Sequence, residues 1–358
     1  IQGMSDPMIS SMELKEKPFY QLPTRSGISI INIENETDLN EKASLFGWPG
    51  NGSSGNPYII SGMIENLTGY DQGIYIANTT SHVHIRNCSL TSALRNSIIL
   101  DPAGIRGHNV SNISISKCLL NNNHKGIDIK GDNISITDCN ISNSGNVGVN
   151  IGGYDIDIQN NTMINNQVSI HVTLGFSVSM DDNRINYGSD GIGIYRSEEC
   201  SITDNRIGNQ TYYGIETSSS SRISIALNDI SNNRIGVYSN NDNTVEIGGN
   251  AIHDNVESGV NSRSSDNFRI HDNTLYDNDD AIYLFWSSDN WDIVDNRINN
   301  CRNGVNIQMY SRYIRVGGNN ITNCDGSGIL VMRTNSVTIK ENILDGNFIH
   351  GVDAEDSH

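Results

Sequence analysis

The sequence predicts an all-β protein, a right-handed parallel β-helix solenoid of about 12–13 coils. Three observations lead to this prediction. An aliphatic residue closes a unit every 22–23 residues along most of the chain. Each unit holds short runs of alternating hydrophobicity, and Gly, Asn and Ser separate these runs, as is typical of strands and turns. A unit of this size cannot bury its own core, whereas stacked units bury a continuous one.

Two aliphatic positions keep this period. The unit-closing residues are Leu90, Leu120, Ile141, Ile164, Ile185, Ile207, Ile230, Ile252, Leu275, Ile298, Ile321 and Leu344. A second aliphatic residue follows a small residue, most often Gly, at the start of a strand in each unit. These residues are Ile74, Ile98, Ile127, Val149, Ile170, Ile192, Ile215, Val237, Val260, Ile282, Val305, Ile329 and Val352. We expect both series inside a stack of parallel strands about 4.8 Å apart. A leucine-rich repeat is excluded, because its Leu-x-x-Leu-x-Leu signature is absent.

Composition and charge exclude several classes of protein. The chain has 51 Asn and 34 Gly and few residues that favour exposed helices, which excludes an all-α fold. Its net charge of −18, with no local run of Lys or Arg, argues against nucleic acid and acidic membranes. Polyanionic glycans are also disfavoured unless a metal ion bridges them to the protein. No run of 18 apolar residues exists, so we expect no membrane-spanning helix.

An inward turn position lies two residues before each closing aliphatic. It reads Cys88, Cys118, Cys139 and Thr162, followed by Asn183, Asn205, Asn228, Asn250, Asn273, Asn296, Asn319 and Asn342. Stacked amides can hydrogen-bond along the axis, so these Asn side chains are expected to be scaffold. Cys301 and Cys324 share another turn position, and their disulfide state stays open. Cys200 is isolated, and the absence of CxxC disfavours structural zinc.

The segment Gly47–Ile60 (GWPGNGSSGNPYII) resembles the opening motif of NosD-like proteins. These belong to the carbohydrate-binding and sugar-hydrolase, pectate-lyase-like β-helices, a group whose functions range from lyases and epimerases to surface proteins. The resemblance implies one β-helix domain over residues 28–353, with a short helix over 38–46 as its N-terminal cap. Residues 1–27 then form an N-terminal extension, whose first residues resemble a cloning remnant. Residues 354–358 form a truncated or uncapped tail. Further domains beyond His358 are candidates for covering the open end.

Strand alternation predicts two outward columns on the sheet where β-helices bind ligands. The first column runs through Tyr75, Ile99, Asp128, Asn150, His171, Gly193, Glu216, Tyr238, Asn261 and Tyr283, and the second through Ala77, Asp101, Lys130, Gly152, Thr173, Tyr195, Ser218, Asn240, Arg263 and Phe285. The coil after Ile98 is unusually long. Its extra residues, 101–109, are predicted to leave the sheet and to carry Arg106 and His108 beside the first column.

These columns supply the candidate site residues. The candidate catalytic residues are Asp101, Asp128, Lys130, His171, Arg106 and His108, and the candidate substrate-binding residues are Asn150, Tyr195, Glu216, Tyr238 and Tyr283. Uronate lyase or epimerase chemistry needs a base, His171 or Lys130, and an electrophile, Arg106 or bound calcium. A hydrolase needs two carboxylates about 5–9.5 Å apart, for which Asp101 and Asp128 are the better pair. A competing aromatic strip, suited to a neutral sugar, consists of Tyr195, Tyr238, Tyr283 and Phe285, with Trp286 nearby.

No metal site is assigned, and calcium at Asp101 and Asp128 is the candidate cofactor. His82 and His84 are a weaker candidate for copper or zinc. The sequence therefore predicts a secreted, cell-surface or periplasmic β-helix that binds a polysaccharide or glycoprotein glycan. It leaves open a lyase, an epimerase, a hydrolase or no catalysis. A non-catalytic surface-layer or adhesion scaffold and a NosD-like accessory of a metal-handling system are the alternatives.

Overall fold

The computed structural model describes residues 29–93, 103–286 and 288–357, which form one solenoid of parallel strands with about 13 turns. Each turn has three strand segments, which we assign to faces A, B and C in chain order. Equivalent segments of successive turns pair in parallel, for example Ile215 with Val237 and Val237 with Val260. The predicted all-β solenoid is confirmed.

Most strands belong to a single face. Face A contains β1 (Ser29–Ile33), β4 (Gln72–Thr79), β16 (Tyr213–Ser218), β19 (Ile235–Asn240), β22 (Ser258–Arg263), β25 (Asp280–Phe285), β28 (Asn303–Gln308), β31 (Ser327–Met332) and β34 (His350–Glu355). Face B contains β2 (Tyr58–Ser61), β5 (Val83–Arg86), β14 (Glu198–Thr203), β17 (Ser221–Ala226), β20 (Asn243–Gly248), β23 (Asp266–His271), β26 (Asp289–Val294), β29 (Arg312–Gly317) and β32 (Asn335–Lys340). Face C contains β3 (Ile64–Asn66), β6 (Ser89–Thr91), β8 (Leu119–Asn121), β10 (Asn140–Ser142), β15 (Arg206–Gln210), β18 (Asp229–Ser231), β21 (Ala251–His253), β24 (Thr274–Tyr276), β27 (Arg297–Asn299), β30 (Asn320–Thr322) and β33 (Ile343–Asp345).

Five strands run through a corner from one face to the next. Those from face A to face B are β7 (Ala103–Ser116), β9 (Lys125–Thr137) and β11 (Val147–Gln159). Strand β12 (Thr162–Asp181) covers faces C, A and B, and β13 (Arg184–Tyr195) covers faces C and A. The corner between faces A and B is therefore extended in these turns and sharply bent in later ones.

The helix α1 (Glu36–Phe46) caps the first turn, close to the predicted range. The Asn35 side chain accepts a hydrogen bond from the Asp38 N–H at 3.1 Å, and Gly47 ends the helix with a φ of 64°. Glu36 ties the helix to the following coil, because its carboxylate accepts from the Thr79 hydroxyl at 2.5 Å and from the Ser81 hydroxyl. The cap is thus held by polar contacts as well as by packing.

The core contains most of the two aliphatic series together with the inward side chains of face B, whereas Val352 in the last turn is 43% exposed. One predicted position is wrong at Ile164. Met163 is fully buried, whereas Ile164 is 38% exposed. The inward polar residue of that turn is therefore Asn161 and not Thr162, and its Oδ1 accepts from the Cys139 N–H at 2.9 Å. The pattern favoured the isoleucine over the neighbouring methionine, although an unbranched thioether fills a core position equally well.

Buried amides also join successive turns. Each Asn from Asn161 to Asn319 at the corner between faces B and C donates a side-chain N–H to the next Asn, as Asn250 does to Asn273 at 2.9 Å, and Asn342 is the last acceptor. A second set, including Asn233 and Asn255, lines the corner between faces C and A. These bonds satisfy turn groups that water cannot reach.

All six cysteines are buried and free, so Cys301 and Cys324 are not joined by a disulfide. Small residues precede the strands of face A because successive turns approach closely there. A Cβ on Gly191 would lie 2.4 Å from the carbonyl oxygen of Gly214. The described part of the chain holds no helix with the length and apolar character needed to span a bilayer.

Candidate functional site

Face A of the early turns carries two outward columns whose register the strand pairings define. In the first column, Arg106 pairs with Asp128, Asp128 with Asn150, and Asn150 with His171. In the second, His108 pairs with Lys130, and Thr173 with Tyr195. The predicted residues from Asp128 to Glu216 in the first column, and from Lys130 to Tyr195 in the second, thus share one surface.

The long coil differs from the prediction. Ile105 occupies the inward position assigned to Ile98, since it pairs with both Ile74 and Ile127. Residues 103–109 therefore belong to the sheet and do not form a loop beside it, and Arg106 and His108 are members of the two columns. The predicted neighbour of Lys130 was Asp101, but the structure places His108 there. Asp101 itself lies outside the described residues. Ile98 begins the aliphatic run Ile98-Ile99-Leu100, whereas Ile105 is followed by Arg106 and Gly107, so the pattern favoured Ile98.

Asp128 organises a charged cluster in the first column. Its Oδ1 accepts from the Asn150 amide at 2.6 Å, and its Oδ2 lies 3.5 Å from Lys125 Nζ and 3.8 Å from Arg106 Nε. Lys125 and Asp128 are both buried. Because a buried lysine requires a counter-charge, this carboxylate holds cations in place rather than standing ready for a reaction.

Metal binding gains no support in the part of the chain that the structure describes. It contains no group of three or more His, Cys, Asp or Glu side chains arranged to hold a metal ion. Both Asp128 oxygens already have protein partners, and the His84 ring bonds to the Ser116 hydroxyl at 2.8 Å. Calcium at Asp101 and Asp128 stays a prediction.

A second cluster joins His171, Tyr195 and Glu216. The His171 ring stacks on the Tyr195 ring with centroids 4.7 Å apart, and the Tyr195 hydroxyl donates a hydrogen bond to the Glu216 carboxylate. Thr173 Oγ1 lies 2.8 Å from His171 Nε2. Gly193 provides the space, because a Cβ there would lie 2.7 Å from a carbon of the Tyr195 ring. Three residues from three successive turns thus make one connected group.

Burial sets the protonation states in this cluster. It lowers the pKa of His171, and the positive charge of Lys125 lowers it further, so the imidazole is neutral at neutral pH. It raises the pKa of Tyr195, whose hydroxyl is also held by Glu216, so the phenol keeps its proton. The pKa of Glu216 is raised by burial and by the nearby carboxylate of Asp190, although the Tyr195 hydrogen bond opposes this. The cluster therefore presents a neutral base next to a protonated acid.

Sequence reasoning missed a third outward column, two residues before each inward aliphatic. It includes Lys125, Asp190 and Tyr213. The Tyr213 N–H donates to Asp190 Oδ1 at 3.2 Å, and its ring stacks on Tyr238 at 4.8 Å. The signal was weak, because Val147, Val168 and Ile235 occupy the same position in other turns, and the strand start had been placed after it.

The predicted aromatic strip consists of separate groups. Tyr195 belongs to the His171 cluster, and Tyr238 pairs with Tyr213. Tyr283 lies 5.8 Å from Phe285, which contacts Trp286 edge-on. Asn261 pairs with both Tyr238 and Tyr283 and lies between them in the column. The strip therefore offers two small aromatic surfaces.

Comparison with known proteins gives matches in family and in fold. Residues 72–230, 169–312 and 221–358 match the family model described as right handed beta helix region. PfbA, a surface adhesin of Streptococcus pneumoniae, is similar in structure with a TM-score of 0.58 and 14% identity, over 91% of this chain and 93% of that one. The A-module of the mannuronan C-5 epimerase AlgE4 from Azotobacter vinelandii has a TM-score of 0.52 and 12% identity, over 92% and 99%. At these identities the likeness shows the fold alone. No curated protein matches the chain in sequence.

Proposed function

The chain belongs to the right-handed β-helix family, and we propose that its face A binds an acidic polysaccharide and removes the C5 proton of a uronate residue. The observation that carries this proposal is the cluster of a neutral His171 stacked on a protonated Tyr195 that Glu216 holds in place. Similarity of fold to a mannuronan C-5 epimerase module fits the proposal. Such a substrate implies a location at the cell surface, in the periplasm or outside the cell.

Binding of a polyanion by a chain of net charge −18 requires a local positive surface. Face A supplies one, because stacking places the partly exposed Arg106 and the exposed Lys130 on neighbouring turns, while the buried Lys125 balances the charge of Asp128. His108 lies beside Lys130. The objection from net charge therefore does not apply to this face, where Arg106 and Lys130 can attract the carboxylates of a uronate chain.

The cluster provides both proton-transfer groups. With His171 Nε2 donating to Thr173, Nδ1 holds the lone pair that accepts the C5 proton. The electron pair of the C5–H bond then forms the C4–C5 double bond, the C4–O bond breaks, and Tyr195 protonates the leaving oxygen. His171 and Tyr195 stack directly and so act from one side of the sugar. This favours elimination over epimerisation, which returns a proton to the opposite side.

The direct test is incubation with mannuronan, guluronan, polygalacturonate and hyaluronan in deuterated buffer. Elimination produces an unsaturated uronate with strong ultraviolet absorbance, and epimerisation incorporates deuterium at C5, which NMR detects. We expect unsaturated product from at least one polymer with the wild-type protein, and formation at least about 100-fold slower with His171→Ala. Absence of both signals with every polymer would contradict the proposed chemistry.

A second candidate function is glycan binding without catalysis. It is favoured by the two aromatic surfaces of the later turns, Tyr213 with Tyr238 and Tyr283 with Phe285, which can pack on sugar rings. The fold similarity to a surface adhesin fits this role as well. Loss of glycan binding in the double variant Tyr238→Ala, Tyr283→Ala, with binding kept in His171→Ala, would favour it over the lyase.

A further inference from the structure

A groove of about 670 Å³ lies at the corner between faces A and B, directly beside the His171 cluster. His108, Lys130 and Thr173 line its face-A side, and Asp132 and Leu174 line the corner. Thr173, the hydrogen-bond partner of His171, therefore belongs to both the groove and the proposed site. A groove of this volume is large enough for one or more sugar residues.

The groove exists because strands run straight through this corner. A Cβ on Gly131, Gly152 or Gly153 would lie only 2.1, 2.2 or 1.9 Å from a carbonyl oxygen of a neighbouring turn. Gly153 also has a φ of 132°, which other residues rarely adopt. The groove floor is therefore bare main chain. In later turns the buried side chains of Ser220, Asp242 and Ser265 occupy the same corner.

The two sides of the groove differ in chemistry. On the face-A side, Lys130 is exposed and forms no ion pair within the described residues. Directly beyond the corner on face B, Tyr154 is 58% exposed and packs against Phe176 with ring centroids 5.6 Å apart. The Tyr154 N–H donates to Asp132 Oδ1 at 3.0 Å, which fixes the start of this aromatic surface. A sugar carboxylate suits the first side, and the C–H face of a sugar ring suits the second.

We infer that the bound polysaccharide crosses the corner instead of following face A along the axis. One uronate residue lies at His171, and the next residues of the chain fill the groove, with a carboxylate near Lys130 and a ring against Tyr154. This inference rests on the proposed function. It assigns the groove as a binding subsite for acidic polysaccharides, and it requires ligands long enough to reach from His171 to Tyr154.

The test compares the affinities of short and long oligomers of the uronate polymer that the wild-type protein binds, measured by titration calorimetry. We expect Tyr154→Ala and Lys130→Ala each to weaken binding of the long oligomer about tenfold, the loss of one aromatic or charged contact, and to leave the disaccharide unchanged. Tyr187→Ala and Lys117→Ala are matched controls, since both residues are exposed and lie outside the groove.

The outcomes separate this inference from the proposed chemistry. Unchanged affinity for the long oligomer in both groove variants would overturn the inference, as would equal losses for the long oligomer and the disaccharide. The inference would also be overturned if the wild-type protein bound neither the long oligomer nor the disaccharide of any uronate polymer. If the groove variants lose affinity as expected but the wild-type protein yields no unsaturated product and no C5 exchange, the subsite stands and the proposed chemistry fails.

Discussion

The early turns, up to Tyr195, and the later turns, from Ser197 onward, share one period and one backbone plan but build the corner between faces A and B in different ways. In the early turns that contain β9 and β11, glycines keep this corner extended and open. In the later turns a buried polar side chain fills it, and the Ser197 N–H donates to Ser220 Oγ and the Ser220 N–H to Asp242 Oδ1, at 3.2 and 2.7 Å. The groove and the His171 cluster lie where this filling is absent.

The interior beneath face A changes at the same point along the chain. Ile129, Ile151 and Val172 point inward in the early turns, Thr217, Ser239 and Ser262 do so in three successive later turns, and the position is aliphatic again from Leu284 onward. The Thr217 and Ser239 hydroxyls both donate to Asp242 Oδ2 at 2.6 Å. The later turns therefore hold a buried polar network that supports their own corner, and the early turns carry their polar groups on the outer surface, where a ligand can meet them.

The largest expected effect concerns catalysis. We expect His171→Ala to lower the rate of unsaturated-uronate formation about 100- to 10,000-fold, because it removes the proposed base. Tyr238→Ala, in the later turns, should change this rate little. The measurement is the initial rate at saturating polymer for both variants. Equal losses in the two variants would mean that the early and later turns do not differ in chemistry as proposed.

Removing the corner support should have the largest effect on stability. Asp242→Ala leaves the Thr217 and Ser239 hydroxyls and the Ser220 N–H without their acceptor, and we expect a loss of about 3 kcal/mol in the free energy of unfolding. Denaturant unfolding followed by circular dichroism measures it. Asp266→Ala is the control, since Asp266 is exposed one turn further along. A loss no larger than that of the control would show that the network adds little.

The amide column should contribute somewhat less at each position. Asn250 donates to the Ile225 and Gly248 carbonyls and to Asn273, and it accepts from the Asn228 N–H. Asn250→Leu leaves several of these groups buried without partners, so we expect roughly 1–3 kcal/mol of destabilisation. A melting temperature equal to that of the wild-type protein would show that the column is not important for stability.

The contribution of Asp242, in the later turns, and that of Glu36, in the cap of the early turns, to the free energy of unfolding should change with pH in opposite directions. Burial raises the pKa of Asp242 above its ordinary value of 3.8 despite hydrogen bonds from Ser239 and Thr217. The stability that this raised pKa contributes is fully present below that value and is lost as the pH rises through the higher folded-state pKa. As the pH rises from acid to neutral, the wild-type protein should therefore lose stability that Asp242→Asn keeps.

Glu36 provides the opposite case at the helical cap. Burial raises the pKa of its carboxyl, but hydrogen bonds from Ser81, Thr79 and the Thr80 N–H together hold it below the ordinary value of 4.5. Its contribution is present above that value and is lost as the pH falls through the lower folded-state pKa. Glu36→Gln should therefore lose less stability than the wild-type protein on acidification. Melting curves across this range that show the same sign for both variants would contradict these assignments.

The fold could be predicted because its signal repeats. Every turn restates the same inward positions, so single errors, such as choosing Ile164 over Met163, did not shift the neighbouring turns. The outward columns from Asp128 to Tyr283 followed from the same alternation. The family match over residues 72–358 and the strand pairings agree with this part of the prediction.

The contacts of the candidate site could not be predicted in the same way. Residues from different turns meet there, and the sequence does not show that Tyr195 folds across Gly193 to reach Glu216, or that Lys125 is buried against Asp128. The irregular coil was also misplaced, because a break in the repeat removes the neighbours that fix the register. Arg106 and His108 were therefore chosen as site residues for the wrong reason, as members of a loop and not of the sheet.

The smallest difference between the early and the later turns is expected in cysteine reactivity, because the native cysteines of both should not react with thiol reagents. Cys88, Cys118 and Cys139 in the early turns are each 2% exposed, and in the later turns burial raises the pKa of Cys301 to about 12. A buried thiol excludes the reagent, and the raised pKa values of Cys88, Cys118 and Cys301 also disfavour the reactive thiolate. A hydrogen bond with Cys118 lowers the pKa of Cys139, so its protection rests on burial alone. Labelling should be negligible without denaturant and complete in it. Mass spectrometry of labelled peptides assigns each site. Rapid labelling of Cys88, Cys118 or Cys139 in the native state would place them outside the core, whereas labelling of Cys301 alone would mean that the later turns open first. Protection at all of these sites means that the open corner of the early turns leaves their core closed, and that the groove is a feature of the surface alone.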